Sequence, residues 1–142
     1  CTGIRRFSDR FGKPVVLYLK HNRWLPAQDV AAMVRDGLVS WIKYAVVLPD
    51  PLQDPYLEEL SQVIDPQSMV SGMGEQPAIC HMTKFSMQGF TSGCVCLAPG
   101  RSMQMLQAIH DNRLDVAQSL RQTFNTLEYL RDTINPIRVL HY

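Results

Sequence analysis

The sequence predicts an α/β domain in which a parallel sheet is assembled from four successive strand-then-helix units. Two observations carry this. Short runs rich in branched residues alternate with stretches whose apolar residues recur at steps of three and four. Glycines and prolines fall between these stretches, where the chain has to turn. Repeated strand-then-helix units leave a parallel sheet with crossover helices as the arrangement that joins them.

Taken in order, residues 4–11 have the pattern of the tail of a helix. Residues 13–20 form a strand candidate, introduced by Gly12 and rich in branched side chains. Residues 26–36 follow as a helix, with Val30, Met33 and Val34 on one face and Gly37 as its stop. Residues 39–47 are the second strand. The segment 48–55 carries Pro49, Pro51 and Pro55 and reads as a loop. A helix over 56–64 places Leu57, Leu60 and Ile64 on one face. Residues 68–71 make a short third strand that ends at Gly72 and Gly74. Residues 76–87 read as a helix, with Pro77 tolerated in its first turn. The fourth strand spans 89–92 and runs into a small-residue loop, 93–99. Helices are expected over 101–110 and 114–134, the latter with Leu114, Ala117, Leu120, Phe124, Leu127 and Leu130 as its buried stripe.

Composition excludes several classes. The chain is 46% apolar and 19% charged with a formal net charge of +1, so it has the make-up of an ordinary globular domain. Its basic residues do not cluster, which argues against a nucleic-acid face or an anionic membrane surface as partner. No apolar run approaches the roughly 20 residues of a membrane span, and the first residues lack the apolar core of a signal peptide. The cysteines at 1, 80, 94 and 96 lack paired C-x-x-C spacing and read as buried free thiols.

Two architectures accommodate four βα units: a small doubly wound sheet, or half of an eight-stranded barrel. A complete (β/α)₈ barrel takes about 250 residues, and this chain has 142. Residues 4–11 look like a helix without its start, and 135–142 like an apolar helix start that stops after about a turn. Both suggest a fragment or an excised domain.

Among residues able to carry chemistry, Lys43 stands inside an apolar strand between Trp41, Ile42, Ala45 and Val46. Burial disfavours an ammonium, which is what an amine nucleophile needs near neutral pH. The bland alternative is a lysine that snorkels to solvent from a strand end. Tyr18, near the end of the preceding strand, can face the same edge of the sheet as a proton relay, or be a core tyrosine. Arg23, in the following loop, is placed to grip a carboxylate, or to sit exposed. The glycine-rich turn 71–75 lacks both the P-loop pattern and G-x-G-x-x-G. Glu75, at a helix start, complements the helix dipole. His21, His81, His110 and His141 show no metal spacing, and no G-x-S-x-G elbow occurs.

Together these positions resemble the dihydrodipicolinate synthase and N-acetylneuraminate lyase superfamily, from about Gly12 to Tyr142. Val15 to Tyr18 followed by Arg23 is similar to the family's fifth strand and its Y-N-x-P-x-R motif, with Leu19 in the place of the Asn. Trp41 to Tyr44 resembles the sixth-strand G-I-K-E/D motif, with Tyr44 in the place of the acidic residue. Met69 to Gly72 resembles the seventh strand and its S-G-D/E turn, with Met73 and Gly74 where acidic residues are usual. Gly89 to Pro99 is similar to the eighth-strand G-V-I-S-x-x-x-N-x-x-P segment, with Cys96 for the Asn. Asn135, Pro136 and Ile137 resemble N-P-x-P-x-K in the terminal helices, with Arg138 for the second Pro.

The resemblance implies the C-terminal half of a (β/α)₈ TIM barrel, strands five to eight and their helices over 1–111, with a C-terminal helical extension over 112–142. It implies a lyase in which Lys43 forms a Schiff base with pyruvate or another 2-oxo acid while Tyr18 relays protons. Gly72 and Thr91 line the pocket, and Arg23 meets the second substrate's carboxylate. No metal or organic cofactor is implied, because the protonated imine is itself the electron sink. A cytoplasmic homotetramer is expected, active only with the first half of the barrel, which carries the G-x-x-G-E motif. The departures at Leu19, Tyr44 and Met73 point to a divergent aldolase or dehydratase. The competing readings are a non-catalytic barrel half that serves as a packing or assembly unit, and an independent doubly wound domain that binds a small ligand at the Gly72 turn.

Overall fold

The structure, a computed structural model, describes residues 2–141. Its elements run α1 (Thr2–Phe11), β1 (Val15–Leu19), α2 (Ala27–Arg35), β2 (Val39–Tyr44), α3 (Pro55–Val63), β3 (Met69–Ser71), α4 (Ala78–Thr83), β4 (Gly89–Phe90), α5 (Pro99–His110), α6 (Leu114–Gln122) and α7 (Asn125–Thr133). The four strands form one sheet in the order β1-β2-β3-β4, each neighbour parallel to the next. Strands in sequence order, each returning through a helix, are half of a closed barrel and not a doubly wound sheet.

Side-chain alternation fixes which face of the sheet is covered. On β1, Leu17 and Leu19 are buried while Val16 and Tyr18 are 45% and 46% exposed. On β2, Ile42 and Tyr44 are buried, whereas Trp41 and Lys43 on the other face are half-buried. The covered face meets α2 and α3 in a core that includes Val30, Met33, Leu57 and Leu60. Fully burying each such side chain contributes about 1.5–3 kcal/mol. A second core joins α4, α5 and α6 through Met82, Met105, Ala108 and Ala117. The opposite face, with Val16, Tyr18, Trp41 and Val70, is the concave side of the half-barrel.

Several elements differ from the sequence expectation. The helix expected over 114–134 is two helices, broken at Thr123 and Phe124. There the backbone N–H groups of Thr123 and Phe124 reach carbonyls three residues back, and the Thr123 hydroxyl also donates to the Leu120 carbonyl. Such back-bonding bends helices. The break turns the predicted stripe: Ala117 and Phe124 are buried, Leu114 and Leu130 are each 37% exposed, and Glu128 is buried at 4%. The helix expected over 76–87 is reduced to Ala78–Thr83, because 73–77 is taken up by turns. The fourth strand stops at Phe90, although the Thr91 N–H still donates to the Ser71 carbonyl at 2.8 Å. Residues 135–141 hold a single 3₁₀ turn at Arg138–Leu140. Cys94 is buried, but Cys80 is half-buried and Cys96 exposed, and all three are free thiols. Cys1 lies outside the described residues. No helix among them is long and apolar enough to cross a membrane.

Candidate active site

Parallel strands end at one edge of their sheet, so the four loops that follow β1 to β4 meet there. The loops after β2, β3 and β4, with Tyr18 of β1 and residues of α6 and α7, wall a cavity of about 770 Å³ that is also lined by Lys43, Gly72 and Thr91. Four of the five residues singled out from the sequence are therefore brought together.

Lys43 and Tyr18 are register partners on neighbouring strands, and Lys43 Nζ lies 4.9 Å from the centroid of the Tyr18 ring. A cation over a phenol face at an exposed site is stabilised by about 0.5–1 kcal/mol. Lys43 has no ion-pair partner among the described residues. Gly72 explains itself by contact: a Cβ there would lie 2.8 Å from Lys43 Cγ and 2.9 Å from the Tyr44 carbonyl oxygen. Its N–H donates to that carbonyl at 2.6 Å, holding the turn against the base of the lysine. Thr91 follows β4 into the cavity wall, and its carbonyl accepts the Gly74 N–H at 3.1 Å.

Arg23 is placed differently. Its guanidinium makes a two-pronged pair with Glu59 of α3, at 2.7 and 2.8 Å, and it does not line the cavity. This pairing lowers the Glu59 pKa.

Asp54 and His81, which line the cavity, belong with Tyr44 and Ser71 to a polar network that sequence reasoning did not find. Tyr44 donates to Asp54 Oδ2 at 2.6 Å, and Asp54 Oδ1 accepts the Leu57 N–H at 2.9 Å as the N-cap of α3. Burial, and then the Asp54 hydrogen bond, push the Tyr44 phenol far above its ordinary pKa. His81 is 2% exposed and bonds through Nδ1 to Ser71 Oγ at 2.8 Å. Burial lowers its pKa to about 4, so the imidazole is neutral at physiological pH. The Asp54-Pro55 dipeptide is a cap-then-N1 signal that could have revealed Asp54. No spacing rule points to His81.

A second group stands where α7 meets the turns after β3 and β4. Glu75 is fully buried and accepts hydroxyl hydrogen bonds from Ser92 and Ser102, both at 2.6 Å. Glu128 Oε1 accepts the Glu75 N–H at 3.2 Å. Burial first, and the Glu75 charge second, raise the Glu128 pKa to about 7. Arg131 approaches Cys94 Sγ at 3.4 Å and Glu128 Oε1 at 4.0 Å. Gly74 and Gly93 admit these side chains: a Cβ would lie 2.5 Å from an Arg131 nitrogen at Gly93, and closer still to Glu128 Oε1 at Gly74. Glu128 and Arg131 escaped sequence reasoning because the apolar stripe was continued through the break in the helix.

The fold and its strand-end cavity define the chain as four βα units of a (β/α)₈ barrel followed by helices. The particular barrel it is similar to is that of dihydrodipicolinate synthase. The enzyme from Bacillus clausii matches with a TM-score of 0.76 and 22% identity, over 92% of this chain and 43% of that one. The enzyme from Oceanobacillus iheyensis matches with a TM-score of 0.73 and 22% identity, over 89% and 41%. The chain thus spans less than half the length of either, and at this identity the likeness is one of fold. No protein-family model and no curated protein sequence matches the chain.

Proposed function

We propose that the chain is the C-terminal half of a Schiff-base lyase barrel. Lys43 attacks the keto carbon of pyruvate or another 2-oxo acid, expelling its oxygen as water to leave a protonated imine. Aldol addition or cleavage, or dehydration, follows from that imine. The observation that carries the reading is the pairing of Lys43 with Tyr18 across β1 and β2, inside a cavity at the carboxyl edge of a parallel sheet. Tyr18 stands beside the amine, its ring facing Lys43 Nζ, and in this reading its hydroxyl relays protons between the amine and the imine carbon's substituents. Gly72 and Thr91 shape the wall on the far side of Lys43. No metal or organic cofactor has a part in these steps.

The reading includes a division at residues 111 and 112 between barrel half and helical extension, a cytoplasmic homo-oligomer, and closure of the barrel by four further βα units. The exposed Val16 and Tyr18 on the concave face favour closure by such a half. The Arg23–Glu59 pair favours a second reading, a barrel half retained for packing or assembly, because the arginine meant for a substrate carboxylate is already occupied.

The test is reductive trapping with pyruvate and borohydride, on a polypeptide in which this chain is completed by the four preceding βα units. Peptide mass spectrometry is expected to find the adduct at Lys43 and none in Lys43→Ala. A folded protein that gives no adduct with pyruvate or other 2-oxo acids refutes the lyase reading and leaves the packing unit.

A further inference from the structure

We propose that Glu75, Cys94 and Glu128 form a binding site for one divalent transition-metal ion of the zinc type. They come from three separate places: the turn after β3, the 3₁₀ turn after β4, and α7. One donor atom of each lies within 4.8 Å of the others, and all three residues are buried. Zinc bonds of about 2.3 Å to sulfur and about 2.1 Å to oxygen put tetrahedral ligands about 3.5 Å apart. The remaining distance, at most about 1.3 Å between donors, is on the scale of a side-chain rotation.

An independent observation marks the site as built for something. Glu128 is 4% exposed, and its Oε2 has no hydrogen-bond partner among the described residues. A buried carboxylate oxygen without a partner costs several kilocalories on the usual scale for polar burial. The remaining atoms of the site are held in place. Ser92 and Ser102 each donate to one oxygen of Glu75, the Glu75 N–H holds Glu128 Oε1, and Arg131 donates to Cys94 Sγ.

Charge supports the assignment. Once ligation has displaced their protons, the three anionic donors against the one Arg131 guanidinium leave two negative charges, which a divalent cation balances. Ligand chemistry narrows the ion: a thiolate beside carboxylates suits zinc and its neighbours, whereas calcium and magnesium take oxygen. The ion would clasp α7 to both turns that wall the cavity. The metal has no role in the imine chemistry proposed for Lys43, and the two readings stand or fall separately.

The test uses the whole chain, stripped with a chelator and titrated with Co²⁺, and then with Zn²⁺ under native mass spectrometry. The expected result is one ion per chain and a near-ultraviolet sulfur-to-cobalt band that is absent in C94S. In E128Q, which keeps the side-chain shape, the dissociation constant should rise at least about tenfold, since even outer-shell partners are worth that much. Should C94S fail to fold, X-ray absorption of the wild-type zinc form decides, with one sulfur in the shell supporting the site. No bound ion, a band that survives in folded C94S, or a shell with no sulfur or several would overturn the proposal.

Discussion

Keeping the buried imidazole of His81 neutral has a defined cost to stability as pH falls. The group sits at 2% exposure against Ser71 Oγ, with the rings of Tyr44 and Phe85 edge-on to it at 5.9 and 6.2 Å. Burial depresses its pKa from 6.5 to about 4, with a smaller opposing pull from Asp54. Above pH 6.5 neither the folded nor the unfolded chain binds this proton, and the group contributes no pH dependence. Between 6.5 and 4 the unfolded chain takes the proton and the folded one does not, so stability is lost as pH falls. The slope is about 1.4 kcal/mol per pH unit, and the whole window is worth about 3 kcal/mol. The assay is urea unfolding of wild type and His81→Gln from pH 7.5 to 3.5, read as the difference between the two curves. Glu128, whose shift has the opposite sign and so weakens folding as pH rises, is common to both proteins and cancels. The difference should change by about 3 kcal/mol in the variant's favour as pH falls from 6.5 to 4, and level off below that. A difference that stays flat across the window would refute the account of His81 as a neutral, desolvated group.

Asp54→Ala removes the N-cap of α3 and strips Tyr44 of its buried acceptor. Together these should cost about 2–4 kcal/mol in chemical denaturation, from a cap worth about 1 and an orphaned buried hydroxyl worth about 1–3. Gly72→Ala places a methyl 2.9 Å from the fixed Tyr44 carbonyl and 2.8 Å from Lys43 Cγ. Overpacking of this kind should destabilise by about 1–3 kcal/mol. The barrel-completed protein should also trap less pyruvate at saturating concentration, whereas unchanged trapping would separate the Gly72 turn from Lys43.

What the sequence made legible follows from the range of the interactions involved. The strands were readable because β propensity, turn residues and period are local, and each unit repeats the same local logic. Their order in the sheet was not, because a doubly wound sheet and half a barrel fit the same local pattern, and it was the family resemblance that implied the barrel. That Tyr18 and Lys43 could share one edge was readable from topology, because parallel strands all end there; that Gly72 and Thr91 line the same pocket was implied only by the family resemblance. Arg23 shows the limit of that reasoning: its neighbour in space, Glu59, lies 36 residues along the chain, and nothing in the spacing announces the pair. The break in the C-terminal helices shows another limit. A continuous stripe from Leu114 to Leu130 satisfies the period, yet the structure breaks the helix at Thr123 and delivers Glu128 beneath Gly74. Gly74 carries a positive φ of 77° and has no Cβ to block the carboxylate, so the glycine that looked like a turn marker also makes room for the charge. Buried polar groups are what periodicity conceals most, because their positions are set by partners distant in sequence. The residues that set this cavity apart from a plain packing surface, Glu75, His81 and Glu128, belong to that class.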